Sequence, residues 1–220
     1  MKIIDDNVGQ RCRVKNGDKC IYNFFKRMLD IFFSIIGLIV LIPIMLIVAL
    51  VIRVDSKGPI TFKHKRIGKN GKHIYVYKFR TMYSNSKEIF DNFTAEQKKE
   101  YYENFKLEND PRVTRVGDFL RKTSLDEIPQ LLNVLKGDMS LVGPRPIVDG
   151  EIEKYGEYFE KFVSVIPGIT GYWQANGRSD TTYDERVQMD MYYIDNRSIV
   201  LDIKIVFKTI VTVLKKEGAI

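Results

Sequence analysis

Cysteine is scarce in this 220-residue chain: only Cys12 and Cys20 occur, both in a polar N-terminal stretch. That excludes a disulfide-stapled scaffold, and their spacing fits no familiar zinc site, so a reduced, cytoplasmic setting is expected. Histidine is equally scarce. His64 and His73 stand alone among basic residues, without the companion ligands a metal needs, and both read as surface residues. Acidic residues are nearly missing between Arg53 and Arg80, where nine Lys or Arg face the single Asp55; this local +8 leaves the rest of the chain at −1 within a total of +7. Charge is missing altogether from Ile31 to Ile52. A cleaved signal peptide is not expected there, because about thirty residues precede the run, it is too long, and no small-residue cleavage site follows it.

Those 22 uncharged residues are enough to cross a bilayer as a helix. Lys26 and Arg27 flank one end, Arg53 and Lys57 the other, so the positive-inside rule selects no orientation and both ends can face the cytoplasm. Pro43, in the middle, removes a backbone hydrogen bond and kinks a helix. Two architectures follow: a kinked spanning helix, or a re-entrant helix that turns back at the break. The basic block comes immediately after this run, which directs its attraction toward acidic lipid headgroups or a nucleotide diphosphate and away from nucleic acid.

Beyond the membrane segment, residues 58–63 and 72–79 read as two short strands joined through an Asn70-Gly71 turn signal, a β-hairpin. Alternation puts Tyr75, Tyr77 and Phe79 on one face and Val76, Lys78 and Arg80 on the other. Lys78 and Arg80 then either present paired charge to a diphosphate or are solvated. Residues 85–108 read as polar surface helices, with a capping box at Thr94 and Gln97. Their aromatics, at 90, 93, 101, 102 and 105, either pack at helical spacing or line a sugar-facing lid. Near the C-terminus, Ile199, Ile203, Val206, Phe207, Ile210 and Leu214 mark an amphipathic helix that suits either the core or a membrane interface. The expected fold is α+β and mainly helical. It divides into a polar tail (1–24), a membrane helix (25–53) and one further domain (54–220).

Chemistry concentrates around Asp126 and Glu127. Ser124 and Glu127 have capping-box spacing, and Pro129 is tolerated only near a helix start, so both carboxylates are expected at a helix N-terminus, where they stay ionised. An ionised Asp can attack phosphorus or bind a divalent metal, although first-turn carboxylates are also ordinary helix stabilisers. Gly143-Pro144-Arg145-Pro146 holds one guanidinium between two prolines, which suits a phosphate clamp or simply a rigid loop. Arg121 lies five residues before Asp126, close enough to share its pocket. Arg112 and Arg115 read as basic surface. Gly168 and Gly171 enclose a tight turn, and Trp173, Gln174, Asn176 and Arg178 gather polar groups around one aromatic, part of a nucleotide or sugar pocket if Trp173 is not simply core.

The run from Lys122 through Pro146, with Tyr77-Lys78-Phe79-Arg80-Thr81-Met82 upstream and Pro167-Gly168-Ile169-Thr170-Gly171-Tyr172-Trp173-Gln174-Ala175-Asn176-Gly177-Arg178 downstream, closely resembles the bacterial polyprenyl-phosphate glycosyl-1-phosphate transferases, in their small monotopic form. The resemblance covers roughly Phe25 to the C-terminus. It implies transfer of a sugar-1-phosphate from a UDP-sugar to undecaprenyl phosphate at the cytoplasmic face of the bacterial cytoplasmic membrane, the first membrane step of a capsule, exopolysaccharide or lipopolysaccharide. It further implies Asp126 as the nucleophile that carries the phosphosugar, Glu127 beside it, Mg²⁺ held at Asp126, and Lys78, Arg121, Arg145 and Arg178 on the phosphates. It favours the re-entrant form of the helix, with the break at Pro43; relatives carry Ser where Ile42 stands here. The implied partners are the UDP-sugar, the polyprenyl phosphate, membrane lipids and, as one oligomeric state, a second copy in a homodimer. A rival reading is a catalytically silent membrane-anchored scaffold, against which the intact Asp126-Glu127 pair stands.

Overall fold

The computed structural model describes residues 6–104, 107, 109–176 and 181–214. Helix α1 runs Asp6–Asp55 and takes in residues 6–24, expected as a tail, together with the whole uncharged run. Pro43 lies inside this single element. A proline φ is compatible with a helix, and only the bond to the carbonyl four residues earlier is lost, so the expected break does not divide α1 into two helices.

The hairpin follows as expected. Strands β1 (Thr61–Ile67) and β2 (His73–Phe79) pair antiparallel, with Phe62 opposite Lys78 and His64 opposite Val76. Asn70 and Gly71 both take positive φ in the connecting turn, the reason an Asn-Gly pair stands there. Short helices α2 (Ser86–Asp91) and α3 (Ala95–Asn104) come next, and between them the Thr94–Gln97 capping box forms in both directions, at 3.0 and 3.3 Å. Helix α4 (Arg115–Lys122) is capped by Thr114, whose Oγ1 accepts the Gly117 N–H at 2.9 Å. Gly117 is required there, since a Cβ would lie 2.0 Å from the Thr81 carbonyl oxygen.

After a 3₁₀ segment, Leu125–Gln130, come α5 (Leu131–Lys136) and β3 (Ser140–Val142). A crossover containing α6 (Ile152–Tyr155) and α7 (Phe159–Phe162) leads to β4 (Gly168–Thr170), which pairs parallel with β3. Helices α8 (Tyr172–Asn176), α9 (Tyr183–Asn196) and α10 (Ile199–Leu214) complete a mostly helical α+β fold. The largest buried cluster joins Val142, Phe162, Val187, Tyr193 and Ile205. Two smaller ones, Val48–Ile52–Phe79–Leu120 and Val76–Val134–Met139, tie the hairpin to its neighbours.

Helix α1 docks on this domain between Tyr22 and Ile52. At one end Lys26 pairs with Asp202 at 2.8 Å, Arg27 donates to the carbonyls of Val134 and Leu135, and Asp30 accepts the Leu141 N–H at 3.0 Å. At the other end Val48 and Ile52 are buried against Phe79 and Leu120. The remaining face exposes a continuous apolar series that includes Phe32, Ile39, Val40, Leu46, Ile47 and Leu50. Helix α10 buries Ile205 in the core but exposes Val200, Ile203, Phe207 and Ile210.

Arg112 is not basic surface. It is buried, forms a two-pronged pair with Asp110 (Nε–Oδ1 2.8 Å, Nη2–Oδ2 2.6 Å), and lies about 5 Å from the rings of Phe90, Phe93 and Tyr101. A guanidinium can both fork a carboxylate and stack on aromatics, which lysine cannot. Phe105 and Arg178 lie outside the described residues.

Candidate active site

The segment carrying Asp126 and Glu127 does not begin with the expected cap. Ser124 adopts a left-handed conformation (φ 57°, ψ 16°) and its side chain makes no capping bond. An N-cap needs extended backbone, whereas here the chain must reverse sharply between α4 and the 3₁₀ segment, and the left-handed residue makes that turn. Asp126 becomes buried and Glu127 half-buried, both against β2.

Lys78 reaches them from β2. Its Nζ lies 2.6 Å from Glu127 Oε1 and 3.5 Å from Asp126 Oδ2. Arg145 Nη1 lies 3.3 Å from the same Glu127 oxygen. Arg121, in the last turn of α4, donates through Nε to Thr81 Oγ1 at 3.0 Å, close enough to Asp126 to interact with its charge. Three of the cations read from the sequence, Lys78, Arg121 and Arg145, thus meet around one dyad. Arg80 does not join them: its guanidinium is buried against the carbonyls of Ser56 and Lys57 and the Ser84 hydroxyl, where it fastens the end of α1 to the hairpin.

The two carboxyls are held differently. Burial raises the proton affinity of Glu127, but Lys78 and Arg145 together outweigh it and hold that carboxyl down at about 2. Burial pushes Asp126 above the ordinary carboxylate range, Lys78 opposes this only partly, and the charge on Glu127 adds to it. Glu127 is thus held ionised more firmly than Asp126. A carboxylate that resists ionisation is a better nucleophile once ionised than one already locked to a cation.

Three residues outside the expected cluster build the surroundings. Asn133, fully buried, accepts the Tyr77 N–H through Oδ1 at 2.9 Å and donates through Nδ2 to the Tyr75 carbonyl at 2.7 Å, so α5 sets the position of β2 and of Lys78 on it. Arg66 donates to the Pro146 carbonyl at 3.1 Å and lies 3.5 Å from Glu151, holding the loop that carries Arg145. His64, expected at the surface, is half-buried on the hairpin face that also bears Lys78; burial first, then Arg66, Lys78 and Arg145, lower it to about 3, so it is neutral. No spacing announces these roles, for the partners stand 56 to 85 positions away except at His64. His73 is exposed and paired with Asp149 at 2.7 Å.

The Arg145 loop is fixed from beneath by β4. Gly143 N–H donates to the Thr170 carbonyl and Gly168 N–H to the Pro144 carbonyl, both at 2.9 Å. The backbones approach so closely that a Cβ on Gly168 would lie 2.1 Å from Gly143 N. Trp173 is half-buried with Arg186 stacked 4.8 Å from its ring.

The sequence profile described as "Bacterial sugar transferase" matches residues 21–216. The chain belongs to the bacterial sugar transferase family. It is 48% identical over 199 residues to the undecaprenyl-phosphate galactose phosphotransferase of Salmonella typhimurium, covering 89% of this chain and 42% of that protein. It is 44% identical over 197 residues to the exopolysaccharide production protein ExoY of Sinorhizobium fredii, covering 88% and 87% respectively. With the UDP-N-acetylgalactosamine-undecaprenyl-phosphate N-acetylgalactosaminephosphotransferase of Aeromonas hydrophila it shares 41% identity over 206 residues, 90% of this chain and 46% of that one. The chain thus spans about two fifths of the length of the first of these curated relatives and most of ExoY.

Magnesium is the cofactor expected at Asp126. Among the described residues no group of three or more His, Cys, Asp or Glu forms a cage. Magnesium does not need one, because it is usually held by one or two carboxylates, with water and substrate phosphates completing the shell. Asp126 fits, since its nearest cation is Lys78 at 3.5 Å, whereas Glu127 is taken by Lys78 and Arg145. The apolar face of α1 gives this family member a membrane-associating surface.

Proposed function

We propose that this protein transfers a sugar-1-phosphate from a UDP-sugar to undecaprenyl phosphate, releasing UMP and forming a polyprenyl-diphosphate-sugar. The observation that carries the reading is the meeting of Lys78 and Arg145 with the Asp126–Glu127 dyad in a domain that bears a long apolar helix. In the first step an Asp126 carboxylate oxygen attacks the β-phosphorus, the bond to the UMP oxygen breaks, and UMP leaves with that electron pair. In the second, a phosphate oxygen of the lipid attacks the same phosphorus and the carboxylate of Asp126 departs. Lys78, Arg121 and Arg145 orient the diphosphate and neutralise its charge, the main demand of phosphoryl transfer; Arg178 is assigned to this group by motif alone. Glu127 keeps Lys78 and Arg145 in register. Asp126 would hold magnesium, which would supply further charge neutralisation at the phosphates.

The membrane arrangement follows from the docking of α1. Both ends of the uncharged run touch one domain, while a spanning helix would carry one end about 30 Å across the hydrocarbon. We therefore assign α1 to a position embedded from one face, the cytoplasmic one, where a soluble sugar nucleotide and a lipid phosphate can meet.

The test is UMP release from a panel of UDP-sugars by the solubilised protein, with and without undecaprenyl phosphate and Mg²⁺, beside Asp126→Asn. Release that requires both additions and disappears in the variant is expected. Full activity in Asp126→Asn would remove the assigned nucleophile, and no release from any donor by intact protein would sink the transferase reading.

A further inference from the structure

A polar cavity lies away from the Asp126 dyad, between the N-terminal flank of α1 and the core. Its volume is about 130 Å³, and it brings together Lys26, Arg27, Lys69 and Arg197 with the hydroxyl-bearing Ser140 and Ser164. These come from separate elements: α1, the hairpin turn, the α9–α10 junction, β3 and the segment before β4. Lys26 is engaged by Asp202, Arg27 by the Val134 and Leu135 carbonyls, and Arg197 by the Ile194 carbonyl. Lys69 has no side-chain partner among the described residues. The lining has four cations against the single carboxylate of Asp30, so the cavity is electropositive even with Asp202 behind Lys26.

Its place in the fold is the second observation. The uncharged run of α1 starts at Ile31, immediately after Asp30, and Phe24, Phe25 and Met28 on the same turns are exposed. Helix α10 starts two residues after Arg197 and exposes Val200, Ile203 and Phe207. Both helices that expose apolar faces therefore pass from polar to apolar at this cavity. In a membrane-associated protein that boundary lies at headgroup depth, where cations meet lipid phosphates.

We propose that this cavity binds the phosphate of an anionic phospholipid headgroup. Lys69 supplies the unpaired charge and Arg197 a second cation; the Ser140 and Ser164 hydroxyls at the cavity wall already donate to the Val142 and Lys161 carbonyls, so the cations carry the recognition. None of these residues belongs to the catalytic cluster, so occupancy would set how the domain sits on the bilayer rather than carry out the transfer.

The experiment is flotation of the purified chain with phosphatidylcholine vesicles, with and without phosphatidylglycerol, comparing wild type, Lys69→Gln/Arg197→Gln and a charge-matched control, Lys87→Gln/Lys98→Gln. Wild type is expected to gain affinity from phosphatidylglycerol; the cavity variant loses on the order of fivefold of that gain per cation removed, keeps its binding to neutral vesicles, and the control keeps the full gain. Equal losses in the two variants would reduce the effect to general surface charge and overturn the proposal. So would an unchanged cavity variant, or complete suppression of the gain by millimolar inorganic phosphate, which would make the cavity a site for the free ion. Lys69→Gln alone, changing an exposed and unpartnered side chain, repeats the test if the double variant folds poorly.

Discussion

Lys78 Nζ stands 2.6 Å from Glu127 Oε1 and 3.5 Å from Asp126 Oδ2, so one ammonium serves two adjacent carboxyls unequally. Glu127 takes the short contact and is held ionised, while Asp126 is left with the longer one and a raised proton affinity. Removing the ammonium with Lys78→Ala is expected to lower UMP release by about 10²- to 10³-fold, the range for losing one preorganised electrostatic group. Lys78→Arg is expected to recover little of it, because a planar fork does not replace a point charge in this gap. Steady-state rates on folded variants check both.

The pH dependence follows from the same pair. Asp126 must lose its proton to attack, and its affinity is raised, so the acid limb of the rate profile is expected above the ordinary carboxylate range. Glu127→Gln deletes a charge that raises Asp126, so the limb should move to lower pH even as the rate falls through misplacement of Lys78 and Arg145. A limb that stays put would show that Asp126 does not govern it.

Asp190 is expected to dominate the stability profile. It is fully buried, accepts the Tyr155 hydroxyl at 2.8 Å through Oδ2, and its other oxygen has no partner; burial raises it to about 8. The folded state thus holds a proton that the unfolded state releases near the ordinary Asp value of about 3.9. Stability then falls as pH rises between that value and about 8, with a slope of at most about 1.4 kcal/mol per pH unit. Asp190→Asn should flatten this slope in denaturant melts taken across the same window.

Arg112→Lys keeps the charge but loses the fork to Asp110 and the stack on Phe90, Phe93 and Tyr101. A loss of roughly 1–3 kcal/mol is expected, for the hydrogen-bonding positions on Asp110 left unmatched, measured by chemical denaturation. If the variant proves as stable as wild type, Arg112 does not organise α2 and α3.

Asn133→Leu removes the two hydrogen bonds that seat β2 on α5 and leaves the Tyr77 N–H and Tyr75 carbonyl without partners. A cost of roughly 1–3 kcal/mol for each unsatisfied group is expected. Activity should fall further than stability alone explains, because Lys78 rides on the same strand. Comparing kcat with the folded fraction separates the two effects.

Local sequence determined a good deal by itself. An uncharged run with cations at both ends, an Asn-Gly hairpin turn, and a guanidinium locked between prolines each express their physics within a few residues, and each appears where expected. The dyad and its cations were legible through the resemblance their motifs carry, not through local physics. Other features came only from tertiary structure. Lys78 and Arg80 lie two residues apart on the same expected strand face, yet one meets Glu127 and the other the end of α1, since the strand ends between them and the chain turns toward α1. Ser124 and Glu127 have the spacing of a cap but take up a left-handed turn, because the reversal after α4 outweighs local preference. Asn133, Arg66 and Arg112 look like ordinary polar residues until partners far along the chain, or a fold of aromatics around them, bury them. Sequence patterns carry short-range preferences; the energy of a buried ion pair or a strand-to-helix hydrogen bond depends on which distant groups the fold brings within about 3 Å, and only the folded chain decides that.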